Sequence, residues 1–196
     1  MNQEARYLQI IKLCYYDAEI CYQVERLANT ILGEGYVDER KIRRWFDNQI
    51  SFYCALDNTG EVCGFCVFLI NDFDKISSLM KLPAELAEQY RKTTRKVCYA
   101  KSIAIDTKAR GIGIANRLFS SCLADSVSLG ADSAFGCAWK NGDELPMHKI
   151  LIDSGFAPIA EIPDAWFDDM EYICSVCNGR CRCTGVVYYK DLNVKA

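Results

Sequence analysis

The sequence predicts a mixed α/β (α+β) protein, and three observations carry this prediction. Apolar runs of strand length alternate along the chain with segments whose apolar residues recur at helical spacing. The turn DNTG at residues 57–60 separates two strand-like runs, a pattern typical of an antiparallel hairpin. The 196 residues, 51% of them hydrophobic, are enough for a full core. We therefore expect one domain over residues 1–196.

The first half of the chain predicts a strand, two helices, a hairpin and a third helix. Gly33 and Gly35 end the first helix, Asp38 caps the second and Pro83 opens the third. The predicted strands are residues 7–14, 52–56 and 62–70, and the predicted helices are residues 18–32, 38–47 and 84–95.

The second half continues with alternating strands and helices. Ile114, Leu118 and Cys122 recur at spacings of four, as one buried helix face requires, and Gly155 is placed to end a later helix. The predicted helices are residues 113–129 and 146–154, and the predicted strands are residues 97–106, 133–139, 166–174 and 185–191.

Charge and hydropathy exclude several kinds of partner. A net charge of −3 gives no basic field for a polyanion, which argues against nucleic acid. The longest nearly apolar run, residues 62–70, is far shorter than the roughly 20 residues that span a bilayer, so we expect no membrane helix. The N-terminal segment lacks the basic and apolar regions of a secretion signal, which predicts a cytoplasmic protein.

The most informative segment is KSIAIDTKARGIGIANRLF, residues 101–119, in which a strand leads through two spaced glycines into a helix. The first turn of a helix leaves amide N–H groups without partners and carries a partial positive charge, so it binds anions. A P-loop would need GxxxxGK, and a dinucleotide fold would need a third glycine where Asn116 stands. Both are disfavoured, and a turn without a ligand is the alternative.

The run RGIGIA at residues 110–115, the upstream SIAID and the later LIDSGF at residues 151–156 resemble the Gcn5-related N-acetyltransferase (GNAT) family. This resemblance implies a mixed, mostly antiparallel central sheet flanked by helices. It also implies transfer of an acetyl group from acetyl-CoA to a small-molecule or peptide amine, by direct attack of the amine. The oligomeric state is left open, a homodimer included.

The resemblance implies where coenzyme A would bind. Amides of residues 111–116 would hold the pyrophosphate, Arg110 would add a charge-assisted hydrogen bond, and residues 103–105 would lie beside the pantetheine arm, with a strand amide bonding the acetyl carbonyl. The implied cofactor-binding residues are Ile103, Ala104, Ile105, Arg110, Gly111, Ile112, Gly113, Ile114, Ala115 and Asn116.

The catalytic half departs from the family pattern. Leu151 stands where many members carry a tyrosine that protonates the departing thiolate, and Glu144 and Met147 replace a frequent asparagine and a small residue. His148, the sole histidine, is the catalytic candidate, with a helix-surface or capping role as its alternative. A noncatalytic acyl-CoA sensor is therefore a competing function.

The acceptor side offers two weak signals. An acidic run in the late loop favours either a cationic amine or a solvated surface. By the same resemblance, the helix at residues 84–95 is longer than the usual connection at that point of the fold, and we expect it to cover the acceptor side. The acidic residues are Asp164, Asp168, Asp169 and Glu171.

Four of the twelve cysteines form a separate cluster with the spacing C-x2-C-x3-C-x-C, between the last two predicted strands. Four thiolates can enclose one tetrahedral zinc, and such a closed site is structural. Reduced thiols and a redox pair are the alternatives, and a knuckle of this kind is also compatible with a protein-interaction module. The predicted ligands are Cys174, Cys177, Cys181 and Cys183.

Overall fold

The computed structural model describes residues 8–47, 49–168 and 172–193. The strands are β1 (Gln9–Lys12), β2 (Gly33–Glu34), β3 (Gln49–Leu56), β4 (Val62–Asp72), β5 (Lys96–Ile105), β6 (Ser133–Lys140), β7 (Ala157–Ile162), β8 (Ile173–Cys174) and β9 (Thr184–Asp191). The helices are α1 (Ala18–Leu32), α2 (Glu39–Phe46), α3 (Phe73–Met80), α4 (Ala84–Arg91), α5 (Ile114–Ser128) and α6 (His148–Asp153).

Seven strands form one sheet in the order β1-β3-β4-β5-β6-β9-β7. Only β5 and β6 run parallel, and every other neighbouring pair is antiparallel. The predicted hairpin is confirmed, since β3 pairs with β4 on either side of the turn. The mixed, mostly antiparallel sheet flanked by helices is therefore the fold of this chain.

Each face of the sheet is covered by its own helices. Val67 packs under α1 and α2, whereas its neighbours Cys66 and Phe68 pack under α5 and α6, as strand alternation requires. Helix α3 shares the α1 face and buries Phe73 and Ile76 against β5 and β6. We call these two sides the α1 face and the α5 face.

A gap opens in the middle of the sheet. Strands β5 and β6 are paired only from Val97–Ser133 to Ala100–Gly136, although β5 continues to Ile105 and β6 to Lys140. Near the start of the gap, β4 pairs Val67 with Ser102 and Phe68 with Ala100, which leaves Lys101 as the extra residue of a β-bulge. The two parallel strands therefore diverge beyond Ala100.

The predicted strand at residues 166–174 is wrong for the part of this segment that the structure describes. Residues 163–168 form turns, Ile173–Cys174 is the only extended part among the described residues 166–168 and 172–174, and β7 (Ala157–Ile162) pairs with β9 instead. The apolar residues of this segment serve local packing: Trp166 lies on the cysteine cluster, and the Phe167 ring lies under the guanidinium groups of Arg180 and Arg182 at 4.4 and 4.8 Å. These apolar side chains therefore pack locally and not along a strand.

Helix α3 was not predicted, because it begins directly where β4 ends. The Asp72 side chain accepts a hydrogen bond from the Lys75 amide at 2.8 Å and caps the helix without any intervening loop. Helix α4 ends at Arg91 and not at residue 95 as predicted. Just beyond its end, the Thr94 hydroxyl donates to the Tyr90 carbonyl at 2.6 Å.

Tyr7 of the first predicted strand lies outside the described residues. Across the described residues, none of the helices combines the length and apolarity that a bilayer crossing requires.

Candidate active site

The glycine segment forms an open helix N-terminus. The carboxylate of Asp106 caps a short turn after β5, and Gly111 and Gly113 follow with φ of 82° each, a conformation that L side chains rarely adopt. The space in which a Cβ would lie at either glycine has no atom within 4 Å. The Arg117 amide donates to the Gly113 carbonyl at 3.1 Å, so the amides of the first turn of α5 point out of the helix end. This end can receive an anion.

Arg110 lies beside this helix end. Its Nε donates to the Ile105 carbonyl at 3.3 Å, which holds the exposed guanidinium at the end of β5. The remaining guanidinium N–H groups suit a charge-assisted bond to a phosphate. Ile112 and Asn116 are exposed at the same end, whereas Ile114 is buried.

Residues 103–105 of β5 divide between the two faces. Ile103 lines a cavity that opens in the gap between β5 and β6 and is described below. Ala104 is buried on the α1 face, and Ile105 is buried against α5. Strand alternation explains this division. Of the three predicted pantetheine neighbours, Ile103 is thus the one that the structure brings to the cavity.

The cavity passes through the gap between β5 and β6 and reaches both faces of the sheet; we call it the central cavity. On the α5 face it is lined by Phe119, Met147 and Leu151. On the α1 face it is lined by Tyr36 and Tyr172 among others. Two molecules can therefore approach the gap from opposite sides.

Three of the ionisable side chains that line the cavity, Cys137, Tyr99 and Tyr172, keep their protons at neutral pH. Burial raises the pKa of Cys137 to about 12 and raises that of Tyr99 well above its ordinary value. Burial is the main cause that raises the pKa of Tyr172, and a hydrogen bond with the Cys181 thiol raises it further. These groups can donate protons at neutral pH but do not act as bases there.

Leu151, Met147 and Glu144, which differ from the residues usual in the family pattern, lie in different parts of the structure. Leu151 is 2% exposed and lines the central cavity, so an apolar side chain stands at the position of the expected acid. Met147 also lines it. Glu144 is exposed in the turn after β6, where its backbone pairs with Asn141.

His148 is exposed at the start of α6 and is bonded to Tyr188. Its Nδ1 lies 2.7 Å from the Tyr188 hydroxyl, and the Tyr188 side chain is fully buried in the core of the α5 face. Neither residue is among the described residues that line the central cavity. This geometry anchors α6 to β9, and a catalytic role for His148 stays a prediction.

The four predicted metal ligands are brought together. The Sγ atoms of Cys174, Cys177, Cys181 and Cys183 all lie within 4.8 Å of one another, and those of Cys177 and Cys183 are 3.6 Å apart. A tetrahedral zinc with Zn–S of about 2.3 Å separates its sulfurs by about 3.8 Å. Burial opposes ionisation of Cys174, but hydrogen bonds from the amides of Cys177 and Val176 lower the pKa of its thiol. The donor set and spacing fit a four-coordinate soft metal ion.

The cysteine cluster is joined to the end of α1. Strand β8 pairs with β2, with Cys174 opposite Gly33, and the Ser175 hydroxyl donates to the Ile31 carbonyl at 2.9 Å. Gly33 has φ of 141°, and a Cβ there would collide with the Ile173 carbonyl. Cys174, Cys181 and Cys183 also line the central cavity. The cluster therefore forms part of the cavity wall on the α1 face, a placement that its sequence spacing did not predict.

The described residues of the two predicted acceptor features are not among those that line the central cavity, and a part for either feature in acceptor binding stays a prediction. Asp168 pairs with Lys81 at 3.6 Å on the surface, and neither Asp164 nor Asp168 is among the described lining residues. Asp169 and Glu171 fall outside the described residues. Helix α4 packs through Tyr90 on Phe135 and contributes no described residue to the cavity lining.

The family of the chain follows from comparison with known proteins. The model of the acetyltransferase (GNAT) family matches residues 18–149, which include both the glycine segment and the gap-forming strands. The chain therefore belongs to the GNAT acetyltransferase family. Family membership supports acetyl transfer as the general activity and acetyl-CoA as the cosubstrate. Comparison with curated protein sequences gives no significant match.

Solved structures share the fold at low sequence identity. Arabidopsis thaliana NAA60 in complex with acetyl-CoA has a TM-score of 0.67 at 12% identity, covering 96% of this chain and 100% of that chain. The NatC complex bound to Gag peptide and CoA has a TM-score of 0.67 at 14% identity, covering 95% and 99%. Drosophila melanogaster polyamine N-acetyltransferase, which forms N-acetylagmatine, has a TM-score of 0.63 at 10% identity, covering 95% and 100%. These likenesses show the fold.

Proposed function

We propose that this protein is an N-acetyltransferase that moves the acetyl group of acetyl-CoA directly onto an amine. The observation that carries the proposal is the central cavity, which opens through the sheet where β5 and β6 diverge. A thioester on the α5 face and an amine on the α1 face can meet there without a covalent enzyme intermediate.

The donor side has the features that coenzyme A needs. The open N-terminus of α5 and the Arg110 guanidinium favour the pyrophosphate, and the apolar wall of Phe119, Met147 and Leu151 suits the pantetheine arm. The edge of β5 beyond Ala100 faces the gap without a ladder to β6. Main-chain N–H groups on that edge can donate to the oxyanion of the tetrahedral intermediate.

The reaction balances without a redox cofactor. The lone pair of a neutral amine forms the C–N bond, the C–S bond breaks, the amine loses a proton, and the coenzyme A thiolate gains one. The products are the acetamide and free coenzyme A. Since Cys137 and Tyr99 hold their protons at neutral pH and do not serve as the base, the amine is expected to arrive neutral or to lose its proton to water.

The cysteine cluster is proposed to hold zinc in a structural role. Four thiolate ligands fill the tetrahedral shell and leave no position for a substrate. When bound, the ion would fix the segment from Cys174 to Cys183 against the end of α1. The ion would affect the reaction only by fixing the shape of the cavity wall.

Calorimetry with acetyl-CoA and release of coenzyme A thiol across an amine panel test the function. Gly113→Asp places a carboxylate at the end of α5 and is expected to weaken acetyl-CoA binding at least about tenfold. Gly60→Asp is the matched control, because Gly60 has φ of 86° and open space around it in the β3–β4 turn. Equal affinities of the two variants would contradict the pyrophosphate site.

An acyl-CoA sensor is the second candidate, favoured by the apolar Leu151 at the position of the expected acid. Acetyl-CoA binding without thiol release for any amine would favour it. No binding of acetyl-CoA would favour the cysteine knuckle as a protein-interaction module. A cytoplasmic location and a homodimer stay predictions.

A further inference from the structure

The half of the central cavity that opens on the α1 face is walled by aromatic rings. Five aromatic side chains line it there, contributed by separate parts of the chain. Four of the five are only partly buried, so they keep exposed surface that the core of the protein does not cover. The five residues, which we call the aromatic wall, are Tyr36, Tyr99, Trp139, Trp166 and Tyr172.

Strand alternation brings Trp139 to this wall. A Cβ on Gly136 would lie 3.4 Å from Leu151, and Ala138 belongs to the core of the α5 face, so these two positions of β6 face α5. Cys137 and Trp139 therefore point to the α1 face. Because β6 loses its pairing with β5 after Gly136, the Trp139 side chain borders the gap instead of packing under a neighbouring strand.

A glycine on β9 makes room for Trp166. Gly185 is the cross-strand partner of Trp139, and a Cβ on it would lie 2.8 Å from the Ala165 Cβ and 3.5 Å from the Trp166 ring. The Ala165 amide also donates to the Cys183 carbonyl at 3.2 Å. Since cross-strand partners share one face of a sheet, the turn that carries Trp166 lies on the same face as Trp139.

Tyr36 and Tyr172 close the wall on the side of the cysteine cluster. Their rings pack edge-on against each other. The Tyr36 hydroxyl is hydrogen-bonded to Ser102, and the Tyr172 hydroxyl is hydrogen-bonded to the Cys181 thiol. Both hydroxyls are thus engaged within the protein, and these two residues offer a ligand mainly the surface of their rings.

The aromatic wall lies across the sheet from the proposed coenzyme A site. The apolar residues that would contact the pantetheine arm, Phe119, Met147 and Leu151, belong to the α5 face, whereas Trp139 and Trp166 lie on the α1 face with the cysteine cluster. A group bound against the wall therefore belongs to the acceptor and not to the cofactor. Its amine would point into the gap.

We propose that the acceptor is an amine that carries an aromatic ring on a short chain, and that the aromatic wall binds this ring. The proposal rests on the acetyl-transfer function. Burial of a ring in a partly enclosed apolar site is favourable, and edge-on or offset contacts between aromatic rings add to this burial. A free arylalkylamine and the N-terminus of a peptide that begins with an aromatic residue share this chemistry.

Two matched sets of acceptors test the proposal and separate these two sources. The first set is 2-phenylethylamine, 2-cyclohexylethylamine and ethylamine, and the second is Phe-Ala-amide, cyclohexylalanine-Ala-amide and Ala-Ala-amide. The readout is kcat/KM for thiol release, expressed per concentration of neutral amine, because only the neutral form attacks. The cyclohexyl members match the apolar size of the ring without its aromatic character.

In at least one set, we expect the aromatic member to exceed the cyclohexyl member about 3-fold to 10-fold and the small member at least about 30-fold. Equal or better use of the cyclohexyl or small member in both sets overturns the proposal while leaving acetyl transfer intact. A preference for agmatine over the aromatic members overturns it as well, because the wall would then serve a cationic acceptor.

Variants of the wall connect the preference to its residues. Trp139→Leu and Trp166→Leu are expected to bring the aromatic-to-cyclohexyl ratio close to one, whereas Trp139→Phe keeps a ring and should retain most of it. Tyr22→Leu is the control, because Tyr22 is 57% exposed on α1 and does not line the cavity. An unchanged ratio in both leucine variants, with melting temperature and acetyl-CoA affinity like those of the unmodified chain, overturns the assignment of the wall. Should a leucine variant fail to fold, the acceptor sets on the unmodified chain decide alone.

A binding measurement separates failure of this proposal from failure of the function. Should no amine release thiol, calorimetry compares N-acetyl-2-phenylethylamine with N-acetyl-2-cyclohexylethylamine, which are both uncharged. Tighter binding of the aromatic compound, weakened by Trp139→Leu, supports the aromatic site without acetyl transfer. Equal or absent binding of both overturns it.

Discussion

The hydroxyl groups of Tyr36 and Ser102 share a hydrogen bond of 2.6 Å, which ties the loop after α1 to the bulged part of β5. The Tyr36 ring also packs edge-on against Tyr172, with centroids 5.6 Å apart, and Tyr172 bonds to Cys181. Tyr36 therefore connects the strand at the gap with the cavity wall formed by the cysteine cluster.

Tyr36→Phe removes this hydrogen bond and leaves the buried Ser102 hydroxyl without its partner. We expect the free energy of unfolding to fall by about 1–2 kcal/mol and the KM for the amine to rise, with acetyl-CoA affinity unchanged. Urea unfolding, steady-state kinetics and calorimetry measure the three quantities. Tyr15→Phe serves as the control, since Tyr15 is 73% exposed. An effect on acetyl-CoA affinity alone would contradict this role.

The cysteine cluster is expected to bind zinc in equimolar amount when the protein is purified without chelator. Cys177→Ser removes one ligand and is expected to lose the metal, lower the melting temperature and raise the KM for the amine. Cys14→Ser, at an exposed cysteine outside the cluster, should change none of these. Metal analysis by mass spectrometry and thermal unfolding decide the matter, and metal-free protein with an unchanged melting temperature would refute the prediction.

Leu151→Tyr restores a hydroxyl where the family pattern has one. We expect kcat to rise roughly tenfold if protonation of the departing thiolate limits the rate, at a packing cost of about 1–3 kcal/mol because Leu151 is buried against Gly136. Leu151→Phe adds the same ring without the hydroxyl. The Tyr-to-Phe ratio of kcat isolates the hydroxyl, and a ratio near one would show that the hydroxyl supplies no rate-limiting proton.

His148→Ala leaves the buried Tyr188 hydroxyl without its imidazole partner. If His148 only anchors α6, the free energy of unfolding falls by about 1–3 kcal/mol and the pH profile of kcat is unchanged. Tyr188→Phe removes the other partner and should be milder. A fall in kcat of His148→Ala that clearly exceeds the fall in Tyr188→Phe would instead support a catalytic role for the imidazole.

The turn of the glycine segment and the buried face of α5 could be predicted from local sequence patterns. The pairings between strands that lie far apart in the sequence could not. The φ requirement of Gly111 and Gly113 and the buried face of α5 are encoded within a few turns, so the sequence identified them. Strands β2 and β8 have two residues each and pair across the length of the chain, which no local periodicity signals.

The position of β9 between β6 and β7 determines when the site can form during synthesis. Strand β6 forms one side of the gap, and until residues 184–191 leave the ribosome its far edge has no antiparallel neighbour. An apolar strand with an unpaired edge invites association with other chains. If β6 formed before residues 184–191 were synthesised, its free edge would be open to association with other chains, and a chain that stops at the end of the family match at residue 149 would lack both β7 and β9.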